Sequence, residues 1–139
     1  MSLYHRIRNV MTKDVVSIDV DAPVSQARQL LLSRPFHHLP VVQNTRLVGM
    51  LSLVDIYRVS LEGWVPDDAT LDAWLDSTFT LKGVMSHDPE SVRGDLTARE
   101  AAQLLAGGSF HALAVVDDDG VLEGILTTTD LLRLVLSAG

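Results

Sequence analysis

Phe36 to Asp55 reads FHHLPVVQNTRLVGMLSLVD, and Phe110 to Asp130 reads FHALAVVDDDGVLEGILTTTD. Each stretch holds two short apolar runs around a polar turn and ends on a hydroxyl residue three places before an aspartate. Short apolar runs bounded by Asn-Thr or Asp-Asp-Gly predict a β-hairpin. The tetrapeptide [ST]-x-x-D directly after the second run predicts a helix start. Outward from these stretches the likeness continues. Residues 10–44 lie over 84–118 with 14 identities in 35 positions, where composition alone gives roughly two or three. One residue is added in the second copy at the turn Asp117-Asp118-Asp119-Gly120, where insertion costs little. Beyond it Leu47, Gly49, Leu51, Asp55 and Arg58 fall on Leu122, Gly124, Leu126, Asp130 and Arg133. The chain is an internal duplication.

Both copies predict the order β-α-β-β-α, an α+β (α/β sandwich) fold. An extended stretch (Val15–Ile18; Ser91-Val92) leads to an N-cap candidate, Asp21 or Asp95. A helix follows with Val24, Ala27 and Leu31 on one face, matched by Ala98, Ala101 and Leu105. Pro35 ends the first helix and Gly107-Gly108 the second. The hairpins pair His38–Val42 with Leu47–Leu51 and Ala112–Val116 with Val121–Leu126, and a second helix runs from Ser52 or Thr127 to about Leu61 or Leu136. The expected organisation is repeat 1 over 1–61, a linker over 62–81 and repeat 2 over 82–139. About fifty residues make a poor independent core, so the copies are expected to pack on each other. In the linker, Leu71, Trp74 and Leu75 stand at helical spacing, and Trp64 and Trp74 are expected to clamp it onto the domain.

Composition narrows the functional classes. Apolar residues make up 47% and charged residues 21% of the 139, a globular balance. No cysteine is present, which excludes disulfides, a thiol nucleophile and thiolate zinc, and fits a reducing, cytoplasmic setting. No apolar run reaches the ~18 residues of a membrane span, and MSLYHRIRNVM lacks a signal-peptide apolar region. Eleven basic against 18 acidic residues give a net charge of −7, which argues against nucleic acid as a partner.

Ser52/Asp55 and Thr127/Asp130 have two readings. In one, hydroxyl and carboxylate only satisfy the free N–H groups of the first helical turn. In the other, they hold a nucleotide. A helix start attracts phosphate, and an ionised aspartate offers two oxygens to the vicinal hydroxyls of a ribose.

The doubled V-M-[TS] … H-x-L-x-V-V … G-x-L-[ST]-x-x-D resembles the cystathionine-β-synthase (CBS) domain, and two in tandem resemble a Bateman module, over residues 10–58 and 84–136. The resemblance implies two units packed through their sheets with pseudo-two-fold symmetry, and clefts for AMP, ADP, ATP or S-adenosylmethionine. It also implies a homodimer. By resemblance Asp55 and Asp130 match the ribose-binding aspartate, and Ser52 and Thr127 the hydroxyl facing ribose or phosphate. Thr129 matches a second hydroxyl that precedes the aspartate in some relatives; repeat 1 has Val54 there. His37 and His111 match a position that approaches phosphate, and His38 a neighbouring basic position that is Ala112 in repeat 2. The base pocket is implied to lie along Thr12–Val16 and Ser86–Glu90, so Thr12, Val16 and Ser86 join the candidate residues. Pro89 and Glu90 replace Val15 and Val16, which makes the pockets unequal and favours the one with Thr127, Thr129 and Asp130.

The five histidines lack compact metal-ligand spacing. Asp117-Asp118-Asp119-Gly120 lacks a calcium loop's alternation and reads as a turn with glycine at positive φ. No catalytic nucleophile motif is present, so the expected function is a non-enzymatic adenosine-ligand sensor. It needs no cofactor or metal, and its output passes to a dimer mate or a protein effector. The alternative is a ligand-free dimerisation scaffold with degenerate sites.

Overall fold

The computed structural model describes residues 2–34, 37–63, 67–87, 89–108 and 111–137. In chain order the elements are a 3-10 turn (Ile7–Asn9), β1 (Ile18–Asp19), α1 (Val24–Ser33), β2 (Leu39–Gln43), β3 (Arg46–Leu51) and α2 (Leu53–Ser60). Then follow α3 (Asp68–Thr78), α4 (Leu81–Val84), β4 (Ser86–His87), β5 (Ser91–Arg93), α5 (Ala98–Ala106), β6 (Ala112–Val116), β7 (Leu122–Thr127) and α6 (Thr128–Ser137). The fold is mixed α+β with two sheets, ordered β1-β2-β3-β4 and β5-β6-β7. Both hairpins form where the paired apolar runs place them. Gly120 closes the second turn at φ +82, which a side chain would oppose, while Asp117 Oδ1 accepts from the amides of Asp119 and Val121. The first turn uses Asn44 and Thr45 at φ 52 and 66.

The compact units cut across the repeats. One is Val16–Pro89; the other joins Met1–Val15 to Glu90–Gly139. The cores show why. Ile7 is fully buried among Ala98, Ala101, Leu113, Val115 and Leu126, all from repeat 2. Leu81, Val84 and Met85 are buried among Val24, Leu39, Leu51 and Ile56, all from repeat 1. Each apolar lead-in thus completes the other repeat's core, and burying one such side chain is worth about 1.5–3 kcal/mol.

The expected helix caps need correction. Pro23, not Asp21, is the N-cap of α1. The Asp21 amide instead donates to Asp19 Oδ1 at 2.9 Å, a turn upstream of the helix. In repeat 2 the cap is Thr97, not Asp95, and it forms a capping box with Glu100. Gly107 and Gly108 end α5 as expected. Helix α1 ends at Ser33 with Arg34 as its C-cap; the expected stop at Pro35 lies outside the described residues, as do Phe36, Phe110 and Trp64.

The linker's apolar spacing becomes α3, which is longer than its core segment and is followed by α4, a short helix the sequence reading lacked. Trp74 meets Phe79 edge-on at 5.5 Å, and Leu75 is fully buried. Acids spaced four apart on α3 bind α1. Arg28 donates to Asp68 at 3.0 Å and to Asp72 at 3.1 Å. Asp76 accepts from the Ser25 amide at 2.8 Å and from its hydroxyl at 2.6 Å. A carboxylate from the linker therefore caps a helix whose own N-cap, Pro23, offers no side-chain bond. Among the described residues no helix is long and apolar enough to cross a membrane.

Candidate functional site

The hydroxyl–carboxylate pairs stand where strand runs into helix, one in each unit. In Val16–Pro89, β3 ends at Leu51, Ser52 is extended at φ −131 and ψ 166, and α2 begins. The Ser52 amide donates to Asp55 Oδ2 at 2.9 Å, and the Asp55 amide donates back to Ser52 Oγ at 3.4 Å. The Ser52 hydroxyl also reaches Asp55 Oδ2 at 3.1 Å. Arg58 stands on the other oxygen, with Nη1 3.4 Å from Asp55 Oδ1. The pair is closed on itself and on its arginine.

The second pair has the same cap with less closure. The Thr127 amide donates to Asp130 Oδ2 at 2.9 Å and the Asp130 amide to Thr127 Oγ1 at 3.2 Å. Among the described residues nothing bonds Asp130 Oδ1 or takes the Thr127 hydroxyl proton, and Arg133 forms no ion pair with Asp130. One acceptor and one donor thus remain at the start of α6, both on half-buried residues. Thr129, exposed on the same helical turn, adds a second hydroxyl.

Each pair has a lead-in strand beside it in the same register. Thr12 and Ile125 exchange both backbone hydrogen bonds at 3.0 Å, two residues before Thr127. Ser86 pairs with Met50, two residues before Ser52. Thr12 and Ser86 are exposed. The stretch Thr12–Val16, expected to line one pocket, divides between the units: Thr12 belongs with Thr127 and Asp130, Val16 with Ser52 and Asp55. Val16 is half-buried against the core that holds Leu39 and Leu51.

The histidines stand at strand entries. Ala112 pairs with Thr127, so exposed His111 sits at the strand end that meets the start of α6. Leu39 pairs with Leu51, which sets exposed His37 and half-buried His38 near the start of α2. No group of three or more His, Asp or Glu among the described residues is arranged to hold a metal ion.

Two contacts carry information that residue types alone did not. A methyl on Gly124 would lie 2.5 Å from Met11 Sδ and 2.9 Å from the Thr12 carbonyl oxygen. A methyl on Gly49 would overlap the side chain of Met85. The Val-Met and Gly-x-Leu segments match between the repeats; that each methionine sits on the other repeat's glycine needs the fold. Below the N-terminal segment lies a cavity of about 330 Å³ lined by Arg8, Asn9, Met11, Lys13, Gly94 and Glu123, with neither Thr127 nor Asp130 in its wall.

Comparison with known proteins agrees with this geometry. The CBS domain signature matches residues 7–62 and 81–137. The chloroplastic CBS domain-containing protein CBSX2 of Arabidopsis thaliana is 32% identical over 131 residues, covering 81% of this chain and 55% of that protein. Inosine-5′-monophosphate dehydrogenase of Korarchaeum cryptofilum is 25% identical over 126 residues, covering 91% of this chain but 23% of the enzyme. The chain thus spans about a quarter of the length of the dehydrogenases it matches. Among solved structures, CBSX2 in complex with AMP superposes with a TM-score of 0.80 at 27% identity, covering 96% of this chain and 98% of that one. The CBS domain pair of protein MJ0100, in complex with 5′-methylthioadenosine and S-adenosyl-L-methionine, has a TM-score of 0.77 at 20% identity, covering 98% and 99%. That likeness speaks for the fold alone. With both repeats matched and the doubled strand-to-helix junctions in place, the chain belongs to the CBS domain family as a tandem pair.

Proposed function

We propose that this CBS pair is a non-enzymatic, cytoplasmic sensor that binds an adenosine-containing ligand at the starts of α2 and α6. The candidates are AMP, ADP, ATP and S-adenosylmethionine. The supporting observation is the unclosed chemistry at the start of α6, where Asp130 Oδ1 and the Thr127 hydroxyl remain available beside the Thr12 lead-in. Asp130 takes the ribose hydroxyls; Thr127, Thr129 and His111 face ribose or phosphate; the backbone around Thr12 lines the base. The corresponding set in the other unit is Ser52, Asp55, His37, His38, Val16 and Ser86. There Arg58 already occupies Asp55 Oδ1, so the α6 site binds more tightly. CBSX2, 27% identical, is solved with AMP, which supports the same ligand class here.

Output passes through a second copy of the chain or a protein effector. The outer faces of α2 and α6 favour a homodimer: Tyr57 and Leu61 are 51% and 88% exposed, and their repeat equivalents Leu132 and Leu136 are 58% and 81% exposed. Signalling requires that the two arrangements differ in ligand affinity. A thermal-shift panel of the four ligands tests the reading; ligand at ~100 times its Kd adds about 2.7 kcal/mol.

A second reading draws on the closed caps. Because both carboxylates already bond their own helix amides, a ligand-free dimerisation scaffold accounts for the pairs as caps alone. Absence of any shift at millimolar ligand favours it.

A further inference from the structure

We propose that Met11 and Met85 are positioning residues: each seats its lead-in strand on the hairpin strand that feeds a ligand-binding helix, and Met11 is the adjustable seat of the two. This rests on the ligand reading above and adds the side chain through which the α6 site would register occupancy.

The seats are built alike. Met11 precedes Thr12, which pairs with Ile125, and Met85 precedes Ser86, which pairs with Met50. In both, a glycine on the hairpin strand lets the thioether approach closer than any side chain permits, Gly124 under Met11 and Gly49 under Met85, and Gly124 also admits the Thr12 carbonyl. The unbranched thioether fills the space left by the missing Cβ. The contact fixes how near the lead-in lies to the strand, and so how far Thr12 stands from Thr127 and Asp130, or Ser86 from Ser52 and Asp55.

They differ in stiffness. Met85 is 6% exposed, and its lead-in forms β4 with two paired positions, His87 with Gly49 and Ser86 with Met50. Met11 is half-buried, its lead-in makes the single bridge at Thr12, and the 330 Å³ cavity borders its side chain. A side chain beside unfilled volume has somewhere to go, whereas one in a close-packed core does not. A ligand touching both the Thr12 backbone and Asp130 binds best when Met11 is seated on Gly124, so binding draws the N-terminal segment down. That differential is what a sensor requires.

Amide hydrogen exchange with AMP as the probe tests this in the full chain. In ligand-free protein the Thr12 and Ile125 amides should exchange about tenfold faster in Met11→Ala than in wild type, with Ser86 and Met50 unchanged. Met11→Leu, which keeps the volume, should stay near wild type. AMP should slow the Thr12 and Ile125 amides of the wild type, and its Kd should rise about tenfold in Met11→Ala. Gly124→Ala, whose methyl meets Met11 Sδ and the Thr12 carbonyl, is the second variant and should loosen the same two amides. Unchanged exchange in both variants overturns the proposal, as does loosened exchange with AMP affinity intact. If wild type binds no AMP, the ligand reading fails, while the exchange comparison still decides whether Met11 seats the strand.

Discussion

Arg58 Nη1 stands 3.4 Å from Asp55 Oδ1, whereas Arg133, its equivalent one repeat later, makes no such bond to Asp130. The two helix starts have the same cap and the same lead-in register, yet one aspartate is spent on its neighbour and the other keeps an oxygen available. A side-chain pairing therefore distinguishes the two helix starts.

Removing that pairing should open the first site. In Arg58→Ala, Asp55 Oδ1 loses its cation, and the AMP stoichiometry measured by calorimetry should rise from about one per chain toward two. The exposed ion pair itself contributes little to stability, about 0–1 kcal/mol, so the melting temperature should hardly move. Unchanged stoichiometry would mean that Arg58 does not gate the site.

Asp130→Ala separates capping from binding. As a cap, Asp130 contributes about 1 kcal/mol with or without nucleotide. As a ligand contact, its loss also abolishes the AMP-dependent gain in stability, so the wild-type and mutant difference should widen when AMP is added. A difference independent of AMP leaves Asp130 as a cap.

Much of the fold is written locally in the chain. The hairpins follow from short apolar runs and turn chemistry, and the strand-to-helix junctions from hydroxyl and acid three apart, because those bonds join residues within a few positions of each other. What escaped the sequence reading is non-local. Nothing in the local pattern around Ile7 or Met85 says that each lies in the other repeat's core. Helix α1 receives its terminal carboxylate from Asp76, 51 residues on, and no spacing rule predicts such a partner. Asp21 and Asp95 fit the N-cap profile by type; Pro23 and Thr97 took the position, since proline has no N–H to leave unsatisfied and Thr97 has a reciprocal partner in Glu100. The open oxygen of Asp130 was equally hidden, because Arg133 stands in sequence where Arg58 does.

The docking of α3 should depend on Arg28. Its side chain is 9% exposed between Asp68 and Asp72, and its buried Nε meets no partner among the described residues. Asp68 is 87% exposed, so the pair is partly screened, and Arg28→Ala should cost about 2–3 kcal/mol in denaturant unfolding. Arg28→Met, which keeps the apolar stem, should cost less. Equal losses would assign the effect to the lost ion pairs alone, with no share from stem packing.

Acid should loosen two helix starts. The Thr97 hydroxyl and amide bond the Glu100 carboxylate and hold its pKa below the ordinary value; the backbone and hydroxyl of Thr70 do the same for Asp67. A lowered folded-state pKa means that the stabilisation is complete above the unfolded value and fades as pH falls through the folded one. Amides at the starts of α5 and α3 should therefore lose protection across the acidic range. Glu100→Gln and Asp67→Asn should flatten that dependence. Protection that stays constant through the range would contradict the assignment.

Calorimetric titration of AMP into wild type and Asp130→Ala bears most directly on the sensor reading. Tight, saturable binding near one per chain in wild type, lost in Asp130→Ala down to the weaker α2 site while that variant remains folded, is the predicted result. Equal binding by both proteins, or no heat in wild type with AMP, ADP, ATP or S-adenosylmethionine, would contradict it.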